Sequence, residues 1–285
     1  MNKYEENRSI MKSKISDTDY KLSSDMSLGV PQPPFQKNIP ENAPIINLPE
    51  INSETAPSGD FFTCTCSRIS RRLYSDNPMS LFDLSFLLWC TQGVKKVIGG
   101  YRKYLKDGSG RNYLRPIAVA GNSYETYLSI NNVEGIQNGI WRYLPLSHQI
   151  VFLKSVENLQ ARISDTFTNP SQNQSYTAKA AVVFFWACTP YKGEWGGREN
   201  SHKNMLLELG YISHQLYLAT EVLGCGCCAI AGYYQGKADE LIGVDGIDEF
   251  TVLCSSVGHI IPEEKNWADR YPDARINPDF YNMNK

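Results

Sequence analysis

The sequence has little of what would send a chain into a bilayer, through one, or onto a polyanion. It holds no uninterrupted apolar run of about 18 residues, so no membrane span is expected. The opening Met1-Asn2-Lys3-Tyr4-Glu5-Glu6 has no apolar core behind its charges, so no export signal is read and a cytoplasmic location is expected. Surplus charge is missing too. The 28 basic and 30 acidic residues leave a formal charge of -2, which gives no ground for a nucleic-acid partner. A G-x-G-x-x-G dinucleotide fingerprint is absent. Cysteine, by contrast, is not scarce. There are eight, and in a long chain without an export signal reduced thiols are expected rather than a disulfide framework. Cys64-Thr65-Cys66 and Cys225-Gly226-Cys227-Cys228 are read as small apolar packing units, with no metal expected.

What is there suits a globular protein. The length of 285 residues and the 42% hydrophobic content allow one large domain or two small ones. Residues 1–60 are polar and rich in Pro, Asn and Ser. Val30-Pro31-Gln32-Pro33-Pro34-Phe35 cannot be a helix interior, because proline lacks the N–H and clashes with the preceding turn. Residues 1–60 are therefore read as an extended arm, with 1–25 a mobile tail. The main domain is expected over 61–260, and 261–285 as an extended C-terminal tail. Ser80-Leu81-Phe82-Asp83 is a capping-box-like helix start. The glycine-rich stretch 97–113 is read as a loop. Thr126 to Ile130 and Ile140 to Leu144 look like a hairpin around an Asn-rich turn. A helix is expected over roughly 154–165. Ala180 to Cys188 is a continuous apolar run and is read as a buried strand. Met205, Leu209, Ile212 and Leu216 mark a long helix that Gly224 and Gly226 would close. Phe250 to Ser255 reads as the last strand. Strands and long helices without a βαβ rhythm favour α+β.

The most informative segment is Arg68-Ile69-Ser70-Arg71-Arg72-Leu73-Tyr74, followed by Asp76-Asn77-Pro78. Two arginine forks and a hydroxyl spaced two apart line one side of an extended chain, a geometry that suits a phosphate and a polar ring edge. The same spacing also fits a solvated basic loop.

The pattern R-x-S-x-R-x-Y, then D-x-P, then a helix, resembles the opening of the nitroreductase superfamily. Pro33-Pro34-Phe35, Leu87-Leu88-Trp89-Cys90-Thr91-Gln92-Gly93, Leu206-Leu207-Glu208-Leu209-Gly210 and Ser256-Val257-Gly258-His259 are similar to segments of its SagB/ThcOx-type dehydrogenases, in the same order. The resemblance implies an α+β nitroreductase-like fold, a central antiparallel or mixed sheet flanked by helices. It also implies a homodimer and an FMN cofactor. Arg68 and Ser70 would lie near the phosphate and ribityl chain, and Arg72 near the pyrimidine end of the flavin. Ala118-Val119-Ala120-Gly121-Asn122 resembles the flavin-flanking P-S-x-G-N segment, with Ala118 and Val119 where Pro and Ser are usual. Ala231 and Gly232 would set backbone beside flavin N5, and His259 would assist the phosphate.

One departure bears on the chemistry. The azoline oxidases of this family carry W-K-Y-x-x-R, and this chain has Trp195-Gly196-Gly197-Arg198 there. Tyr191 and Lys192, just upstream, are the candidate acid/base pair in its place. The expected activity is hydride transfer at flavin N5 on a peptide- or amino-acid-derived substrate, with a cyclodehydratase-type partner. Two rivals stand beside it: an NAD(P)H-dependent nitro or quinone reductase, and a flavin-binding scaffold without turnover in a peptide-modifying complex.

Overall fold

The computed structural model describes residues 4–13, 23–101, 111–118, 122–167 and 175–261. In chain order the elements are α1 (Glu5–Ile10), α2 (Asp25–Leu28), β1 (Ile45–Asn47), α3 (Phe61–Ser67), α4 (Leu81–Gln92), β2 (Val94–Tyr101) and β3 (Arg111–Pro116). They continue with β4 (Tyr124–Ile130), β5 (Gly139–Leu144), β6 (Gln149–Lys154), α5 (Leu159–Phe167) and β7 (Val182–Cys188). The last are α6 (Tyr191–Gly197), α7 (Ser201–Val222), β8 (Cys225–Ile230), α8 (Gln235–Ile242) and β9 (Phe250–His259).

Seven strands form one sheet in the order β1-β6-β5-β4-β7-β9-β8. Every neighbouring pair in it is antiparallel. Strand β7 lies inside the sheet, between β4 and β9, and is buried along its whole length. Alternate residues of a strand face opposite sides. Val182, Phe184 and Trp186 therefore join a core with Leu84, Leu87 and Leu88 of α4 and Met205, Leu209, Ile212 and Leu216 of α7. Val183, Phe185 and Ala187 join a second core with Leu159, Ile163 and Phe167 of α5 and Ala238, Leu241 and Ile242 of α8. Two buried faces explain why β7 is an unbroken apolar run with no polar alternation. The result is an α+β fold, a sheet with helices on both faces.

Helix α4 starts where the sequence indicates, since the Asp83 amide donates to Ser80 Oγ at 3.0 Å. Helix α7 ends at Gly224, whose φ of 66° is left-handed. Gly226 is not part of that stop. It lies inside β8, where a Cβ would come within 2.6 Å of Ile260 and 2.8 Å of Arg71, so only glycine lets the segment 68–74 lie this close.

Three expectations change. Residues 97–113 are not simply a loop: β2 and β3 pair as an antiparallel ribbon on either side of 102–110, with Val97 opposite Leu114 and Ile98 opposite Tyr113. Their β-branched and aromatic residues outweigh the glycines. The helix expected from 154 starts at Leu159 instead, because Gln149–Lys154 pairs with β5 as a strand. The second cysteine cluster belongs to strand β8 rather than a helix end. The N-terminal arm also contributes: β1 adds an edge strand beside β6, and α1 and α2 are short helices within it.

Candidate functional site

The extended segment 68–74 crosses the C-terminal half of α7, and its three arginines divide by environment. Arg71 is buried and pairs with Glu221 of α7 at 3.3 Å, with both side chains under 10% exposed. Its amide donates to the Cys227 carbonyl of β8 at 2.9 Å. Arg68 and Arg72 are half-buried, and among the described residues neither pairs with a carboxylate. The Arg68 guanidinium lies 5.1 Å from the Tyr217 ring centre. Arg72 lies 5.9 Å from the Tyr176 ring centre, and its Nη1 donates to the Ser70 carbonyl at 3.3 Å.

Tyr217 ties this region together. Its hydroxyl sits 2.8 Å from Ser70 Oγ and accepts the Ala229 amide proton at 2.8 Å. Burial holds that phenol above its ordinary range. Segment 68–72 and the exit of β8, which leads to exposed Ala231 and half-buried Gly232, therefore meet at one side chain. Two guanidiniums with no carboxylate partner among the described residues, beside a hydroxyl, suit a ligand that carries a phosphate.

A cavity of about 340 Å³ lies at the other end of α7. Ser201, Asn204, Met205 and Glu208 of α7 line it, with Asn122, Ser123, Lys192 and Trp195. Residues Gln32, Pro33 and Phe35 of the arm and Asn112 and Leu114 of β3 also line it. Lys192 is buried, with its Nζ 2.7 Å from Glu125 Oε1, and the two side chains are 6% and 3% exposed. The same Nζ donates to the Phe35 carbonyl at 3.1 Å. Burial pushes the Glu208 carboxyl up to about 7, although the Ser123 amide and hydroxyl pull it back.

The residues singled out from sequence do not all converge. Arg68, Ser70 and Arg72 share one cluster, near Ala231 and Gly232. Asn122 and Lys192 line the cavity, on the far side of about 14 Å of α7 from Glu208 to Tyr217. Tyr191 does not accompany Lys192: it is 42% exposed and donates to Asp25 Oδ2 at 2.7 Å. His259 ends β9 opposite Cys225, with its Nδ1 3.5 Å from that thiol. That puts it at the end of β8 away from Ala231 and Gly232. Val119, Ala120 and Gly121 lie outside the described residues. Sequence reading missed Tyr217, Tyr176, Glu125 and Glu208. Tyr217 sits in an apolar helical stripe and Glu125 in a strand, so neither forms a motif with its neighbours. Among the described residues no cluster of His, Cys, Asp and Glu could hold a metal ion, and no helix is long and apolar enough to cross a membrane.

Comparison with known proteins fits this architecture. The family model for nitroreductases matches residues 66–259, which defines an oxidoreductase of a generally flavin-dependent class. The chain belongs to the nitroreductase family. A Methanocaldococcus jannaschii protein assigned to the nitroreductases is 24% identical over 196 residues, covering 68% of this chain and 88% of that one. Among solved structures, a Ralstonia eutropha protein described as a nitroreductase superposes with a TM-score of 0.56 at 18% identity, over 81% of this chain and 99% of its own. One from Anabaena variabilis gives 0.55 at 18% identity over 70% of this chain, which spans only 38% of that longer protein. A chain of the E. coli microcin synthetase McbBCD complex, solved with a truncated pro-microcin bound, gives 0.53 at 15% identity, with 90% of both chains covered.

Proposed function

We propose that the protein is an FMN-dependent oxidoreductase of the SagB/ThcOx type, acting as a homodimer on a peptide- or amino-acid-derived heterocycle. The observation that carries the cofactor reading is the pair of guanidiniums, Arg68 and Arg72, which have no carboxylate partner among the described residues and lie around Ser70 and Tyr217. Arg68 and Ser70 would hold the phosphate and ribityl hydroxyls, and Arg72 the pyrimidine edge. Backbone at Ala231 and Gly232 would face the reacting edge of the ring. Val119, Ala120, Gly121 and Asn122 would flank the ring, and His259 would stand near the phosphate. FMN, when bound, supplies hydride acceptance at N5.

The dimer reading rests on the outer face of α7. Leu206, Leu207 and Tyr211 are each more than half exposed there. Leu206 and Leu207 are level with the cavity-lining turns of α7 and Tyr211 lies one turn towards the arginine cluster, so a second copy covering them would bring opposite subunits together beside both half-sites. The cavity would then take the substrate, with Lys192 as the group that moves a proton. Tyr191, held at the surface by Asp25, would act only after the start of α6 rearranged. The likeness to a subunit of a microcin synthetase supports a peptide substrate and a cyclodehydratase-type partner.

A nitro or quinone reductase driven by NAD(P)H is the second reading. It is favoured by Lys192 already being engaged by Glu125 and Phe35, which leaves one ammonium proton without a partner among the described residues. The test of the cofactor reading is direct. Purified protein should be yellow and release FMN on denaturation. Chromatography that finds FAD, or no flavin after reconstitution with FMN, overturns it. Steady-state assays with and without NAD(P)H separate the two substrate readings.

A further inference from the structure

The proline-rich arm does more than cover the cavity. Residues 30–38 run beside it, with a bend at Phe35–Gln36, and are held mostly through their main chain. Trp195 Nε1 donates to the Val30 carbonyl at 2.9 Å. The Gln32 side chain makes a two-way pair with the Asn112 backbone, at 3.0 and 2.9 Å. Lys192 donates to the Phe35 carbonyl, and Arg142 to the carbonyls of Lys37 and Asn38 at 3.1 and 2.7 Å.

Lys37 is the most constrained residue of this strap. Its amide donates to Glu125 Oε1 at 3.1 Å, the same oxygen that accepts the Lys192 ammonium. Its own ammonium pairs with Glu249 and donates to the Tyr127 hydroxyl at 3.2 Å. Tyr127 in turn donates to the other oxygen of Glu249 at 2.8 Å. Glu125 and Tyr127 are two apart on β4 and so face the same side. Amide, side chain and carbonyl of one arm residue are thus each fixed to the sheet. Both acceptors that hold Lys192 are linked to Lys37: the Glu125 oxygen also accepts the Lys37 amide, and the Phe35 carbonyl is two residues upstream of it. The charged groups facing one another here are Lys37, Lys192 and Arg142 against Glu125 and Glu249.

We infer that Lys37 is a positioning residue of the active site, setting the direction of the Lys192 ammonium through Glu125 and the Phe35 carbonyl. This rests on the reading that Lys192 works in the cavity. The Lys37 side chain is 42% exposed, and half-exposed ion pairs contribute little to global stability. A fold made of two large cores does not need this contact to stand. What the contact fixes is the strap, and with it the one wall of the cavity that does not come from the main domain.

The test reads the Lys192 amine itself, without flavin or substrate. The full chain is labelled with isotope-coded acetic anhydride, and Lys192 acetylation is followed by mass spectrometry against the exposed Lys96. Lys192 should react at least about tenfold slower than Lys96 in the wild type, the protection expected of a buried, locally stable site. Lys37→Ala should raise the Lys192 rate about three- to tenfold, the ratio carried by losing a partly exposed charged contact. Lys37→Arg should bring it back towards the wild-type rate. An unchanged Lys192 rate in Lys37→Ala, or equal acceleration in the Ala and Arg variants, overturns the inference. If Lys37→Ala unfolds, all lysines will react at the Lys96 rate. Tyr127→Phe then decides, since it removes one acceptor of Lys37 and keeps the ring. A rise at Lys192 alone supports the relay, and no rise overturns it. Failure here leaves the catalytic reading of Lys192 standing, because that reading is tested by turnover of Lys192 variants.

Discussion

The two ends of α7 carry charge in opposite ways. At the C-terminal end Arg71 is paired with Glu221, while Arg68 and Arg72 on either side of it have no carboxylate among the described residues. At the N-terminal end Lys192, Glu125, Lys37 and Glu249 neutralise one another within the chain. A half-buried cation without a carboxylate is offset here by aromatic rings and a carbonyl, which leave its charge available to an anion. A buried ion pair already satisfied resists removal of either partner far more than it adds to stability. On the proposed reading the first end receives an anion, and the second holds a polar wall in one geometry.

The largest effects should come from the self-paired end. Lys192→Ala should lower turnover on the true substrate by about 10²–10⁴-fold, the range typical of a lost acid/base group. It should leave FMN bound. Because the change also strands Glu125 in the sheet, Lys192→Ala combined with Glu125→Gln should recover the fold and not the turnover. Single-turnover kinetics together with a urea melt separate the two losses. Recovered turnover in the double variant would make Lys192 structural and break the comparison.

Glu221→Ala tests the paired arginine within the open end. Arg71 would lose its Glu221 carboxylate while staying buried, at a cost of about 3–5 kcal/mol in unfolding free energy. Arg68→Ala, three residues earlier, should leave the urea midpoint nearly unchanged. If both variants cost the same stability, the division of the three arginines into structural and ligand-binding is wrong.

Glu208 gives the same contrast a pH dependence. Burial lifts its carboxyl from 4.5 to about 7 in the folded chain. The folded state then holds the proton more tightly than the unfolded state, so this contribution is fully present below about pH 4.5 and is lost as pH rises through 7. Its size is about 3 kcal/mol for such a shift. Glu208→Gln should therefore match the wild type near pH 4 and exceed it at pH 8, measured by urea unfolding across that range. Parallel curves would mean that Glu208 is ionised and solvated in the folded state.

The sequence was most legible where one physical rule acted alone. The apolar run of β7 and the 3–4 spacing of α7 follow from burial on both faces and on one stripe. Arg68, Ser70 and Arg72 stood out because alternate residues of an extended chain share a side, and they do cluster. The β2–β3 ribbon was hidden by its glycines, and β6 by a helical pattern that begins just after it. The pairing of Lys192 was illegible for a different reason. Its partner Glu125 is 67 residues away and its other acceptor is a backbone carbonyl of the arm. A carbonyl leaves no mark in a sequence, and a single carboxylate in a strand leaves almost none. Tyr191 and Lys192, adjacent in sequence, point to different partners because adjacent helical residues do not share a face.

Among the open-end cations, Arg68→Ala should weaken FMN binding about 10- to 100-fold, the loss expected when a charged hydrogen bond to phosphate disappears. Fluorescence titration of the apoprotein measures it, and an unchanged Kd would place the phosphate elsewhere.

The smallest expected effect is the one most specific to electronics. If Arg72 reaches the pyrimidine edge, its charge favours the anionic reduced flavin over the neutral oxidised ring. Arg72→Ala should then lower the two-electron reduction potential by about 30 mV, the equivalent of about 1.4 kcal/mol. Arg72→Lys should keep most of the potential, because the charge survives while the planar fork is lost. The two substitutions separate charge from geometry. A fall in both variants would mean that the guanidinium's hydrogen bonds matter more than its charge. A potential that stays put or rises in the Ala variant would mean that Arg72 does not face the flavin ring. Its contact with Tyr176, beside Cys228, would then be its main role, and Arg68 would stand as the single ligand-facing cation of the segment. Spectroelectrochemical titration of the three proteins at one pH distinguishes these outcomes, because stability losses do not move a potential measured on folded, flavin-loaded protein.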